Sequence, residues 1–150
     1  MDWARFTERV GRRRKQGSVL AAECQWIAEP AVPDLEMWLR ESGFELSAGV
    51  PSKPLTRDAA GQFITDILSY SLVYDLPVGT FGKASALSAE FLDFFSDQAR
   101  FFTNGTLVRS LRAANGGLGT WVSLTGATFD TGLLAIDSST TRILWFLENS

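Results

Sequence analysis

The stretch Leu133-Leu-Ala-Ile-Asp-Ser-Ser-Thr-Thr-Arg-Ile-Leu-Trp-Phe-Leu147 decides the fold. Two apolar runs, Leu133 to Ile136 and Ile143 to Leu147, flank the polar connection Asp137-Ser-Ser-Thr-Thr141. Runs this short, bounded by turn residues, read as strands. A connection of this length joins antiparallel neighbours, because parallel strands need a crossover of about a dozen residues or more. The chain therefore closes on a β-hairpin. Upstream of it, Asn104-Gly105, Asn115-Gly116-Gly117 and Gly119 are turn signals, and the run Trp121 to Leu124 between them and the hairpin reads as a further strand.

Nearer the N-terminus the periodicities alternate. Asp2 is placed to cap a helix on which Trp3, Phe6 and Val10 recur at helical spacing, with Glu8 and Arg12 as an i,i+4 pair. Ser18 to Ala28 alternates, with Leu20, Ala22, Cys24 and Trp26 on one face and Glu23 and Gln25 on the other, and Pro30 and Pro33 close it. Asp34 reads as the N-cap of a short helix carrying Leu35, Trp38 and Leu39 inward, ended by Gly43. A hairpin turning at Ser42-Gly43 is the alternative. Ser47 to Pro54 is a loop. From Thr56 a longer amphipathic helix places Ala59, Ala60, Phe63, Ile64, Ile67, Leu68 and Tyr74 inward and Asp58, Gln62, Thr65, Asp66 and Ser69 outward. After a turn over Pro77 to Gly82, a second such helix is capped by Ser88, buries Leu87, Phe91, Phe94 and Phe95, and presents Glu90, Asp93 and Asp97 on an acidic face without a basic i,i+4 partner. The sum is one α+β domain over residues 1–150, with helices packed on one face of a mostly antiparallel sheet and a core of Trp26, Phe63, Ile67, Phe91, Phe95, Trp121 and Trp145.

Composition narrows the chemistry. There is no histidine among the 150 residues, so Ser-His-Asp and Cys-His catalysis and most zinc sites are excluded. Cys24 is alone, cannot form an intrachain disulfide, and is expected to be buried and inert. No uninterrupted apolar stretch has the length of a spanning helix, and the N-terminus lacks a signal-type apolar region, so the expected compartment is the cytoplasm. Residues 1 to 15 hold six basic and two acidic groups, and the rest of the chain eight basic and fifteen acidic, a net of −7. An acidic body repels phosphate backbones and favours a protein partner with a positive cleft.

Four motifs invite a functional reading. Phe129-Asp130-Thr131-Gly132 has the apolar-Asp-Thr-Gly form of the aspartic-protease motif, but Leu133 follows where that family usually has a small residue. A turn entering a strand is the better account. Glu90, Asp93 and Asp97 supply carboxylates for general acid and base work, without the cleft such work needs. Arg12-Arg13-Arg14-Lys15 is a small basic patch that suits a helix C-terminus better than a nucleic-acid arm. Gly116, Gly117 and Gly119 lack the strand-loop-helix context and Gly-Lys ending of a phosphate loop.

The segment Thr120-Trp-Val-Ser-Leu-Thr-Gly-Ala-Thr-Phe-Asp-Thr-Gly-Leu-Leu-Ala-Ile-Asp137, followed by Arg142-Ile-Leu-Trp-Phe-Leu-Glu-Asn149, resembles the closing hairpin of small bacterial immunity proteins. These neutralise toxins of interbacterial competition systems such as type VI secretion and Rhs effectors. The resemblance covers roughly the last third of the chain and brings no catalytic signature with it. It implies a cytoplasmic antitoxin, not an enzyme and without a cofactor, that binds a cognate toxin domain and occludes its basic active-site cleft, with neither nucleic acid nor membrane as partner. The clustered carboxylates Glu90, Asp93 and Asp97, with Asp58 and Asp66, are the expected partner-binding residues. A regulatory or assembly module with another protein partner is the alternative, and a histidine-independent enzyme using those carboxylates is a third reading. With no histidine and one cysteine to supply ligands, the purified protein is expected to contain no stoichiometric zinc by elemental analysis.

Overall fold

A computed structural model describes residues 2–14, 17–46, 49–69, 80–104, 124–125 and 129–148. Within them the chain runs α1 (Trp3–Arg13), β1 (Ser18–Gln25), α2 (Val32–Glu41), β2 (Lys53–Leu55), α3 (Arg57–Ser69), α4 (Phe81–Asp93), β3 (Arg100–Thr103), β4 (Phe129–Asp137) and β5 (Thr140–Glu148). The strands form one antiparallel sheet in the order β1-β5-β4-β3-β2. The α+β class and the C-terminal hairpin expected from the sequence are both present. The hairpin turn is tighter than its polar run suggests. Asp137 pairs with Thr140, so only Ser138 and Ser139 lie outside the ladder, with Ser138 at a φ of 54°.

The register of β5 splits the interior in two. Leu144 and Phe146 point into a core with Leu133 and Ala135 of β4, Phe101 of β3, and the apolar sides of α1, α3 and α4. Ile143 and Trp145 point the opposite way, into a second core with Leu134, Leu39 of α2, Phe44, Leu46 and Leu124. Three helices thus share one face of the sheet, and α2 with the chain that follows it covers the other. Alternation along each strand delivers this arrangement, because successive side chains leave a strand on opposite sides.

The larger core is an aromatic stack. Trp3 meets Phe94 edge-on at 5.2 Å between ring centroids, Phe91 meets Phe95 at 5.1 Å, and Phe95 meets Phe101 edge-on at 5.4 Å. Arg142 closes one end of this stack, its guanidinium 5.4 Å from the Phe94 ring centroid and 5.6 Å from that of Trp3, while its Nε donates to Glu23 at 3.0 Å. A cation over several ring faces gains from the ring quadrupoles in a way a free surface arginine does not.

Several boundaries differ from the sequence expectation. The N-cap of α2 is Ala31, and Asp34 stands three residues inside, where its carboxylate accepts from the Ala31 N–H. Pro33 is tolerated there because the first helical turn does not use its N–H. Helix α4 begins at Phe81 with Thr80 as its cap, so Ser88 is a mid-helix residue whose hydroxyl donates to the Gly61 carbonyl oxygen of α3 at 2.7 Å. Trp26 is half-buried, edge-on to Trp38 at 6.5 Å, with its indole N–H donating to Thr141. Cys24 is likewise only partly buried. Gly43 has the expected left-handed backbone, φ 104°. Trp121, Tyr74, the glycines at 105, 116, 117 and 119 and the strand proposed for Trp121 to Leu124, apart from Leu124 itself, lie outside the described residues.

The two sheet edges are unlike. Edge strand β2 is three residues long and contains Lys53 and Pro54, both of which discourage further strand pairing. Edge strand β1 is eight residues long and contains neither lysine nor proline.

Phe63 and Phe91 are 2% and 1% exposed in the larger core. Replacing either with alanine is expected to lower the free energy of unfolding by about 3 to 5 kcal/mol, read as a lower urea midpoint at unchanged slope.

Candidate functional site

The expected acidic face does not survive as a unit. Helix α4 ends at Asp93, and Asp97 lies past it in a turn. Glu90 forms an ion pair with Arg9 of α1 at 2.7 Å, so its charge is neutralised from another element. Asp66 is buried in α3 and accepts from the Gln62 side chain at 2.9 Å, which removes it from any partner surface. Asp58 stands exposed in the first turn of α3, where a negative charge favours the helix dipole. Arg57 beside it donates to the Leu92 carbonyl oxygen at 2.7 Å and to that of Ser96 at 3.1 Å. The start of α3 therefore lies at the end of α4, and Asp58, Asp93 and Asp97 occupy one end of that helix pair while Glu90 and Asp66 do not join them.

Of the basic run at the end of α1, Arg13 and Arg14 are engaged inside the fold, while Arg12 stays exposed beside Glu8. Arg13 donates to the Leu68 carbonyl oxygen at 3.1 Å and to that of Thr80 at 2.6 Å. Arg14 is buried, donates through Nη1 to the Ile67 carbonyl oxygen at 2.7 Å and through Nη2 to the Glu148 carboxylate, and lies over the Phe146 ring. Helix α3 has no basic residue in its own last described turn, and these two arginines bring positive charge and donors to carbonyls there. Burial presses the pKa of both guanidinium groups down, and for Arg14 the Glu148 charge opposes that shift. The patch stands in the last turn of α1 through Arg12 and Arg13, as its sequence suggested, and Arg13 and Arg14 also reach α3.

The Asp-Thr-Gly motif is structural as well. Asp130 is fully buried and its carboxylate accepts from the Leu124 N–H at 3.0 Å, the Thr125 N–H at 2.9 Å, the Thr125 hydroxyl at 2.7 Å and the Trp145 indole at 3.2 Å. These bonds tie the chain at 124–125 to the strand that carries Asp130 and to β5. Thr131 donates to the Asn104 side chain, and Thr103 to the Gly132 carbonyl oxygen. At Gly132 a Cβ would fall inside the contact shell of the Leu144 carbonyl oxygen and 2.7 Å from Trp145 Cα. The glycine is fixed by the close approach of β4 and β5, not by chemistry at a reacting centre.

Besides the end of the helix pair with Asp58, Asp93 and Asp97, and exposed Phe81 at the start of α4, a surface with unspent chemistry lies on the opposite face of the sheet, around α2. Between Glu23 and Leu46 the chain carries six carboxylates and one base, Arg40. Glu23 and Glu29 are held by Arg142 and Arg100, and Asp34 by its own helix start. Glu36, Glu41 and Glu45 have no ion-pair partner among the described residues. Beside them stand exposed apolar side chains: Ile27 fully exposed, Met37 at 65% and Val32 at 57%. A groove of about 420 Å³ opens next to Val32. Leu134, Ile136 and Phe102 form its floor, α2 gives one wall through Leu35 and Glu36, and Val50 and Pro51 give the other. Sequence reasoning missed this surface, although one signal was present: Met37 falls on the outward side of the α2 periodicity set by Leu35 and Leu39.

Among the described residues no group of three or more carboxylate or thiol side chains is arranged to hold a metal ion, and no helix is long and apolar enough to cross a membrane. Comparison with known proteins finds no match, whether to family models, to curated proteins or to solved structures.

Glu148 and Arg14 are each 1% exposed at the side chain. Glu148→Leu is expected to destabilise the protein by about 3 to 5 kcal/mol, because it leaves the guanidinium buried without its counter-charge. The double variant Arg14→Met, Glu148→Leu is expected to recover a substantial part of that loss, as measured by chemical denaturation of all four members of the cycle.

Proposed function

We propose that this chain is a cytoplasmic immunity protein that binds a cognate bacterial toxin domain and blocks it by occlusion, without catalysis and without a cofactor. The observation that carries the reading is the surface around α2, which presents exposed Ile27, Val32 and Met37 together with Glu36, Glu41 and Glu45, carboxylates without an ion-pair partner among the described residues. Exposed apolar anchors in a stretch whose charge is mostly of one sign, six carboxylates against Arg40, favour a macromolecular partner of opposite sign, since burial supplies affinity and the field supplies encounter rate. A toxin that grips a polyanionic or phosphate-bearing substrate has such a basic cleft.

Support also comes from how the chemistry-bearing residues are spent. The carboxylate of Asp130 is saturated by donors, Glu90 is paired, and Asp66 is buried against its own helix. General acid and base catalysis needs carboxylates converging on a cleft, with opposed environments. The resemblance of the closing hairpin to immunity proteins agrees with a binder, and the acidic balance of the chain with a basic target.

Co-expression of this chain with the product of the adjacent gene is expected to relieve growth arrest caused by that product, and calorimetry of the purified pair to give 1:1 binding that weakens as salt rises. Absence of a complex would overturn the proposal. A complex with a neighbour that has no toxicity of its own would transfer the reading to a regulatory or assembly module.

A further inference from the structure

Which face meets the partner, and what the partner offers, follow from the groove beside α2. We infer that this groove receives an extended segment of a partner protein in which an apolar side chain is flanked by lysine or arginine. The inference rests on the binding role proposed above and names the site and the class of occupant.

The floor is apolar, built from Phe102 of β3 and Leu134 and Ile136 of β4, all on the side of the sheet that faces away from the three-helix layer. Val32 continues the apolar surface out of the groove and onto the exposed start of α2. A small-molecule site of this volume would need several polar groups converging on its interior to fix orientation. Here the polar lining is peripheral: Glu36 on the α2 wall, Ser52 on the opposite wall, and Arg100 at one end. Arg100 is already engaged, paired with Glu29 and lying over the Phe102 ring. Glu36 is not. It is half-buried, lines the groove, and has no ion-pair partner among the described residues.

Charge complementarity selects the occupant. With Glu36 on its wall and Glu41 and Glu45 farther along the same acidic stretch, an apolar residue entering the groove gains most if its neighbours are cationic. An anionic lipid surface is disfavoured by the same charges. A recognition mode of this kind draws affinity from the buried anchor and selectivity from the rim.

The test uses the intact protein, immobilised, against a phage library of random peptides of about twelve residues, a length that spans such a groove with flanks on either side. Enriched peptides are expected to share an aromatic or branched apolar residue with lysine or arginine nearby. Two variants at accessible positions report on the site: Glu36→Lys reverses the wall charge, and Ser52→Trp fills the groove. Each is expected to weaken the selected peptides by about tenfold or more, while Asp93→Lys, on the helix layer that covers the opposite face of the sheet, leaves them unchanged. Unaltered thermal unfolding of the variants shows that folding is not the cause. No enrichment, enriched peptides without basic residues, or binding indifferent to both variants would overturn the inference.

The same variants separate this inference from the proposal it rests on. If the parent chain relieves toxin arrest and both groove variants do so equally well, the groove is excluded and the immunity role stands. If peptides bind as expected while no neighbouring toxin is relieved, the groove stands and the immunity role falls.

Discussion

The structure hangs on the fact that β5 is buried on both faces. A strand in this position must be apolar at nearly every residue, and Ile143-Leu-Trp-Phe146 is. Because its side chains alternate, one half of the hydrophobic material has to be supplied from each side of the sheet. Helices α1, α3 and α4 supply the aromatic layer over Leu144 and Phe146, and α2 with Phe44 and Leu46 supplies the layer over Ile143 and Trp145. The N-terminal strand β1 pairs with β5 over its whole length, so the two ends of the chain are stitched together. The buried pair between Arg14 and Glu148 repeats that connection with charge, at the point where α1 ends and β5 ends.

Residues that look chemical in the sequence are largely spent on this architecture. Asp130 holds a loop, Arg13 and Arg14 donate to carbonyls in the last described turn of α3, Arg57 donates to a carbonyl at the end of α4, and Glu90 joins α4 to α1. Polar groups drawn into a fold are held there by hydrogen bonds or an opposite charge, and each of these has at least one. Among the described residues, the side chains left over for work outside the fold stand in two places: around α2, and on the α3 and α4 pair with Asp58, Asp93, Asp97 and exposed Phe81.

How much of this was legible depended on sequence distance. The β4 and β5 hairpin was readable because its apolar runs and its connection are contiguous, and α1 and α3 because their periodicity spans several turns. Strand β3 was not: Arg100-Phe-Phe-Thr103 is four residues long, comes soon after Phe94 and Phe95, and is too short to display alternation. Strand β2 was hidden by Pro54. The break-up of the acidic face was also out of reach, since Arg9 and Glu90 are 81 residues apart and no local pattern joins them. Asp66 shows a different failure. Its place on the helical wheel looked outward, but α3 is packed so closely that Thr65, Asp66 and Ser69 are all buried with the apolar face. The hydroxyl of Ser88 misled in the same way, having the chemistry of a cap while serving as a rivet between two helices.

The asymmetry of the sheet edges bears on how this molecule behaves when crowded with itself. A sheet whose two borders are both receptive can be extended without end, which is the geometry of a fibre. Here Lys53 and Pro54 shut one border, leaving β1 as the receptive one among the described residues. Any growth through backbone pairing at β1 places a closed border on the far side of each newcomer, so it terminates after a single addition. Among the described residues, the limit on growth through backbone pairing is set by the order of the strands, which puts the short edge with Lys53 and Pro54 opposite the long one.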